Sequence, residues 1–157
     1  MTLATSLYQW LMFLHVLSAM VWVGGLVLLV ALSALILRSG DHDAVARFSA
    51  SLPKIGPLVL APSSVAVVSL GAGLVFDSHH TWRFSQGWLI LALALFAAAF
   101  LIGAAFQSRA AINLQRAIDA GNPELAARQL QRWAWGMRLI LALLVIITWD
   151  MVAKPTL

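Results

Sequence analysis

The chain is organised as long uncharged stretches separated by short polar ones. From Leu7 to Leu37 there is no Asp, Glu, Lys or Arg. Ile55–Phe76 and Phe84–Ser108 repeat the pattern, and LILALLVIITW near the end of the chain supplies a fourth apolar run. Uncharged stretches of this length read as membrane-spanning helices, since about 20 apolar residues cross the hydrocarbon core. The pattern predicts an all-α, polytopic four-helix bundle forming a single domain. Its helices are expected over roughly 7–37, 55–76, 84–120 and 123–153, by length and apolar pattern.

Local signals refine these boundaries. The first helix would run to roughly 46 Å at ~1.5 Å per residue, longer than the ~30 Å core, so it tilts or projects. Gly40 supplies a C-cap region. Asp43–Leu52 has the pattern of a short amphipathic helix on the membrane surface, and Pro53 is expected to end it. Pro57 suits the first turn of the second span, whereas Pro62 lies deeper and predicts a kink. Gly121, Asn122 and Pro123 read in order as a left-handed stop, an N-cap and a first helical residue. Pro155 is expected to stop the last helix.

Composition agrees with this layout. Of 157 residues, 62% are hydrophobic and 10% charged, too few charges to wet a soluble domain of this size. Lipid is therefore the expected solvent. The net charge of +4 admits a nucleic-acid partner in principle. The placement of the basic residues argues against it. Arg38, Arg47, Lys54, Arg109, Arg116, Arg128, Arg132 and Arg138 fall on one side of the predicted bundle, and only Arg83 and Lys154 on the other. The positive-inside rule makes the first side cytoplasmic and puts both termini outside. Trp10, Trp82, Trp88 and Trp149 are then expected near the outer interface, and Trp133 and Trp135 near the inner one. With no cysteine, thiolate metal sites and disulfides are excluded.

Few residues can carry chemistry. His15 lies about two turns inside the first span among Phe13, Leu14, Val16 and Leu17. An ionisable group at that depth faces a partner or a function. Helical spacing puts His15, Ser18, Trp22 and Gly25 on one face, and Gly24 with Gly25 allows close approach of a helix or a flat cofactor. His15 reads either as an axial ligand to a metal or haem iron or as an interhelical hydrogen bond with a packing role. Asp150 and Lys154, one turn apart, read as an interfacial ion pair. Alternatively Asp150 orients His15, or Lys154 supplies a second ligand or binds an anionic group. Arg138 snorkels to the inner interface or holds a carboxylate such as a haem propionate.

Asp77, His79, His80 and Arg83 crowd the outer loop and read as solvated. Met12, Met20 and Met151 are apolar filler or soft ligands for copper. SLGAG at 69–73 and GAA at 103–105 read as helix-packing surfaces.

The stretch LYQWLMFLHVLSAMVWVGGLVLL, with His15 followed seven residues later by Trp22 and then Gly24 and Gly25, resembles the first helix of a group of small bacterial membrane proteins. The group includes a predicted integral membrane family of unknown function, to which the chain is most similar. It also includes the HemJ-type protoporphyrinogen oxidases and the CopD-like copper-resistance domain. The ending DMVAKP resembles the Lys-Pro ending of the HemJ-type proteins, at Lys154 and Pro155. The resemblance implies a multi-pass protein of the bacterial cytoplasmic membrane with b-type haem on His15. It also implies a redox role with a porphyrin or quinone substrate and Lys154 as a candidate catalytic residue; Asp150, one turn away, is a second candidate by its placement. FSASLPKIGP stands where HemJ-type proteins carry a basic Met-Glu-Arg-Arg-like segment, a departure that bears on porphyrinogen oxidation more than on haem. Copper handling or solute transport, and a non-enzymatic subunit or assembly factor, are the other readings. A homodimer would suit the glycine-rich faces.

Overall fold

The computed structural model describes residues 3–78 and 81–154, the side chains from residue 7 onward. Among the described residues every regular element is helical: α1 (Leu3–Ser39), α2 (His42–Ile55), α3 (Ala61–Asp77), α4 (Gly87–Leu101), α5 (Ser108–Asp119) and α6 (Pro123–Ala153). π-helical turns at Gly56–Leu60 and Ile102–Gln107 join α2 to α3 and α4 to α5. The result is four continuous rods, Leu7–Ser39, His42–Asp77, Gly87–Asp119 and Pro123–Ala153, each long and apolar enough to cross a membrane.

The two tight turns follow their residues closely. Gly40 and Gly121 take positive φ, 67° and 63°, which side chains with a Cβ adopt at a cost. After Gly40, the Asp41 carboxylate accepts from the Asp43 and Ala44 amides and caps α2. At the other turn the Gly121 and Asn122 amides return to the carbonyls of Ile118 and Ala117. The Asn122 side chain then accepts from the Leu125 amide at 2.9 Å, and Pro123 opens α6. The third rod begins at Gly87 rather than 84, because Gln86 is extended (ψ 135°) and its Oε1 accepts from the Arg83 amide. Lys154, at φ 43°, ends α6. Pro155 lies outside the described residues.

Pro53 does not end the amphipathic helix. α2 runs through it to Ile55 and on into α3, so the expected surface helix and second span are one rod. Pro53, Pro57 and Pro62 each withhold an amide from a carbonyl four residues earlier. Pro53 is carried within α2, and between Pro57 and Pro62 the ladder shifts to the π turn, in which the Ala61 amide reaches back five residues to the Gly56 carbonyl. Ser63 and Ser64 donate to the Val59 and Ala61 carbonyls in the same stretch, as hydroxyls do where transmembrane backbone is perturbed. The apolar face of α2 is not laid on lipid. Val45, Phe48 and Leu52 are buried, and Phe48 meets Trp133 edge-on at 5.6 Å.

The backbone of α1 packs closely against α3 and α6, and that of α6 also against α4 and α5, whereas the backbones of α3 and α4 stay apart; α1 meets α4 through the Trp22–Phe96 ring contact. The core runs along α1 and α6 from Leu26 and Leu29 to Leu130, Ala134 and Ile140. Of the tryptophans, Trp10, Trp135 and Trp149 are exposed as interface anchors should be. Trp88 and Trp133 are instead buried in the bundle, Trp133 only 2% exposed. Trp133 belongs to the core cluster, whereas Trp88, in the first turn of α4, packs edge-to-face on Trp82.

Candidate functional site

His15 is half-buried on α1, facing α3. Its Nδ1 lies 2.9 Å from the Val67 carbonyl oxygen. A carbonyl can only accept, so Nδ1 carries a proton, and in the neutral imidazole Nε2 is the nitrogen left with a lone pair. The contact depends on Gly71: a Cβ there would lie 3.1 Å from His15 Cε1 and 3.4 Å from Nδ1. Gly73 lies against Leu11 with room for a Cβ, 3.6 Å from its methyl groups, so the SLGAG stretch faces α1 as a packing surface and only Gly71 is tight. No other described residue hydrogen-bonds to the imidazole.

The residues expected to join His15 do not gather around it. Trp22 is buried, meets Phe96 edge-on at 5.6 Å and lines a separate cavity. Gly25 is filled from α3's side by Leu60, 3.1 Å from where a Cβ would stand. Arg138 lies over the exposed Trp135 ring at 4.9 Å, a placement that fits an interfacial side chain. Met12 and Met20 are exposed. Among the described residues no three of His, Asp and Glu come together as metal ligands would. His79 and His80 lie outside the described residues.

Asp150 and Lys154 do not pair. Among the described residues the one ion pair is Arg47–Asp41, at 3.5 Å on the surface. Lys154 has a left-handed backbone, which turns its side chain off the helical face that an i,i+4 pair requires. Its Nζ sits 3.7 Å from the Trp82 ring centroid and 5.8 Å from that of Trp88. These two indoles are packed edge-to-face at 5.5 Å. Asp150 is fully buried and neither carboxylate oxygen finds a partner among the described residues. It therefore does not orient His15, whose Nδ1 is held by Val67.

A concavity lies elsewhere, between the two π turns. It encloses about 680 Å³ and is lined by both π turns, by Trp22 and Leu26 of α1 and by Trp133 of α6. Beside it Gln107 is buried, its Nε2 donating to the Trp133 carbonyl at 3.0 Å. Its Oε1 is unpartnered and would stand 2.9 Å from a Cβ on Gly136. Sequence reasoning read GAA at 103–105 as a packing surface, but Gly103 and Ala104 line this concavity and Ala104 and Ala105 are exposed. An amide inside an otherwise apolar span was the one available signal, and Gln107 gave it.

The match to known families agrees with the fold. The model of a predicted integral membrane protein family, DUF2269, covers residues 9–155. The chain belongs to this family. No curated protein and no solved structure matches it. The family description supports a multi-pass membrane protein, and the likeness to HemJ-type and CopD-like proteins rests on the short motifs at His15 and Lys154 alone.

Proposed function

We propose that this DUF2269 chain is a haem-binding membrane protein of redox character, with His15 Nε2 as an axial ligand. The observation that carries the reading is the hydrogen bond from Nδ1 to the Val67 carbonyl. Histidines that ligate metals generally donate their other ring N–H to a carbonyl or carboxylate, which fixes the tautomer and orients the ring. His15 is prepared in that manner by a backbone group and by the missing Cβ of Gly71. The donor set fits one axial position. It does not build an enclosed haem pocket in one chain, because Gly25 is filled and Arg138 lies on Trp135. The other coordination position and the second wall fall to a second copy or another protein, consistent with a half-buried His15 on the surface of α1. A b-type haem held there would supply one-electron chemistry tuned by its axial ligand. The protein's own part is to fix the imidazole and surround it with apolar side chains.

Nothing in their surroundings supports a catalytic role for Asp150 or Lys154, so porphyrinogen oxidation forms no part of this reading. Haemin titrated into the protein in lipid nanodiscs should produce a saturable Soret band at one haem per chain or per pair of chains. His15→Ala should abolish saturation while leaving helicity unchanged. Equal, non-saturating uptake by both proteins would refute the reading. A second reading is favoured by the same bond: His15 closes the α1–α3 seam and the chain is a non-enzymatic membrane subunit. That reading expects loss of stability in His15→Ala with no cofactor involved. No contact among the described residues favours copper.

A further inference from the structure

The rods His42–Asp77 and Gly87–Asp119 part company where each carries its π turn, and the backbones of α3 and α4 do not come close. The gap between them is the cavity of about 680 Å³, within the ~300–1,000 Å³ range of small-molecule sites. Its floor is Trp22, Leu26 and Leu29 of α1 with Met137 and Ile140 of α6. Its sides include Pro57, Phe100, Ala104 and Ile112, all exposed, so the gap opens sideways to the hydrocarbon of the bilayer. Polar lining concentrates toward the end of the bundle carrying the Gly40 and Gly121 turns. There Ser49 donates to Gln115 Oε1 at 3.1 Å, and Arg116 stands exposed one residue farther along α5. Arg116 is the one charged residue in the lining, no acidic residue accompanies it, and it has no ion pair among the described residues.

We infer that this groove is a binding site for an anionic phospholipid, with an acyl chain between the π turns and the phosphate on Arg116. Apolar walls open to lipid select a hydrocarbon chain. A single unpaired guanidinium at the polar mouth selects the anion, because its fixed fork of donors matches phosphate oxygens. The site is separate from His15, which does not line it, and it stands whether or not haem binds.

Native mass spectrometry of the full chain in detergent, titrated with phosphatidylglycerol and phosphatidylcholine of the same chains, tests this. One basic residue near an anionic lipid is worth about 1 kcal/mol, so wild type should prefer phosphatidylglycerol by about fivefold. Arg116→Gln should reduce the ratio to about one. Arg128→Gln removes the same charge from the same end without touching the groove, and should keep the preference. Gly103→Phe places a ring in the groove, where the nearest side-chain atom is 3.9 Å from a Cβ, and should weaken both lipids together. The inference is overturned if wild type shows no preference, if Arg128→Gln loses as much as Arg116→Gln, or if Gly103→Phe binds both lipids unchanged.

Discussion

The His15–Gly71 contact offers a sharp test of the architecture at the candidate site. Introducing a methyl group at Gly71 places a Cβ 3.1 Å from His15 Cε1, inside ordinary van der Waals separation, and 3.4 Å from Nδ1, at its edge. The imidazole must retreat by a few tenths of an ångström, and the 2.9 Å bond to Val67 lengthens with it. A hydrogen bond of this kind contributes about 0.5–1.5 kcal/mol net, and interhelical bonds in membranes average nearer ~0.6 kcal/mol. Against that loss stands a gain, because alanine is favoured over glycine in a helix by up to about 1 kcal/mol. The net sign of Gly71→Ala alone is thus a poor test. The coupling is a good one. In a His15→Ala background the obstructing ring is gone, and Gly71→Ala should keep its propensity gain with no steric loss. A double-mutant cycle on reversible unfolding in mixed micelles should give a coupling of about 0.5–1.5 kcal/mol. Additivity within about 0.3 kcal/mol would refute the contact.

Other perturbations separate packing from chemistry. Gly136→Ala should destabilise by about 1–3 kcal/mol, because its Cβ would stand 2.9 Å from both Gln107 Oε1 and a Phe106 ring atom; thermal unfolding in detergent reads this directly. Lys154→Met should cost about 0.5–1 kcal/mol through loss of the cation–π contact with Trp82 and shift the tryptophan emission, with Lys154→Arg retaining most of both. Asp150→Asn should leave stability unchanged or raise it, since the carboxylate is buried without a partner. A fall in unfolding midpoint equivalent to more than about 1 kcal/mol, the worth of a hydrogen bond, would show that Asp150 has a partner in the lipid-embedded protein.

The parts of the fold legible in the sequence were those where one residue type answers one local demand. Gly121, Asn122 and Pro123 each meet a different requirement of the same turn, and the structure places all three accordingly. Pro53 misled because one missing amide does not force a break where the following i→i−4 bond, from the Gly56 amide to the Leu52 carbonyl, is kept. His15 stood out as a lone ionisable group in an apolar run, but its acceptor could not, since every residue has a carbonyl and only Gly71 exposes that of Val67. The same holds for the groove. Its lining reads like any lipid-facing surface, and concavity arises only when two rods diverge at their π turns. The Asp150–Lys154 pair failed for a backbone reason, the left-handed end of α6, which spacing alone does not reveal.

The most direct test of His15 as a haem ligand is the absorption spectrum of protein purified from haem-replete cells, with pyridine haemochrome quantification, beside His15→Ala. A b-type spectrum at one haem per chain or per pair of chains, absent from the folded mutant, is the predicted result. A colourless, folded wild-type protein would contradict it and leave His15 as the hydrogen-bonded seam between α1 and α3.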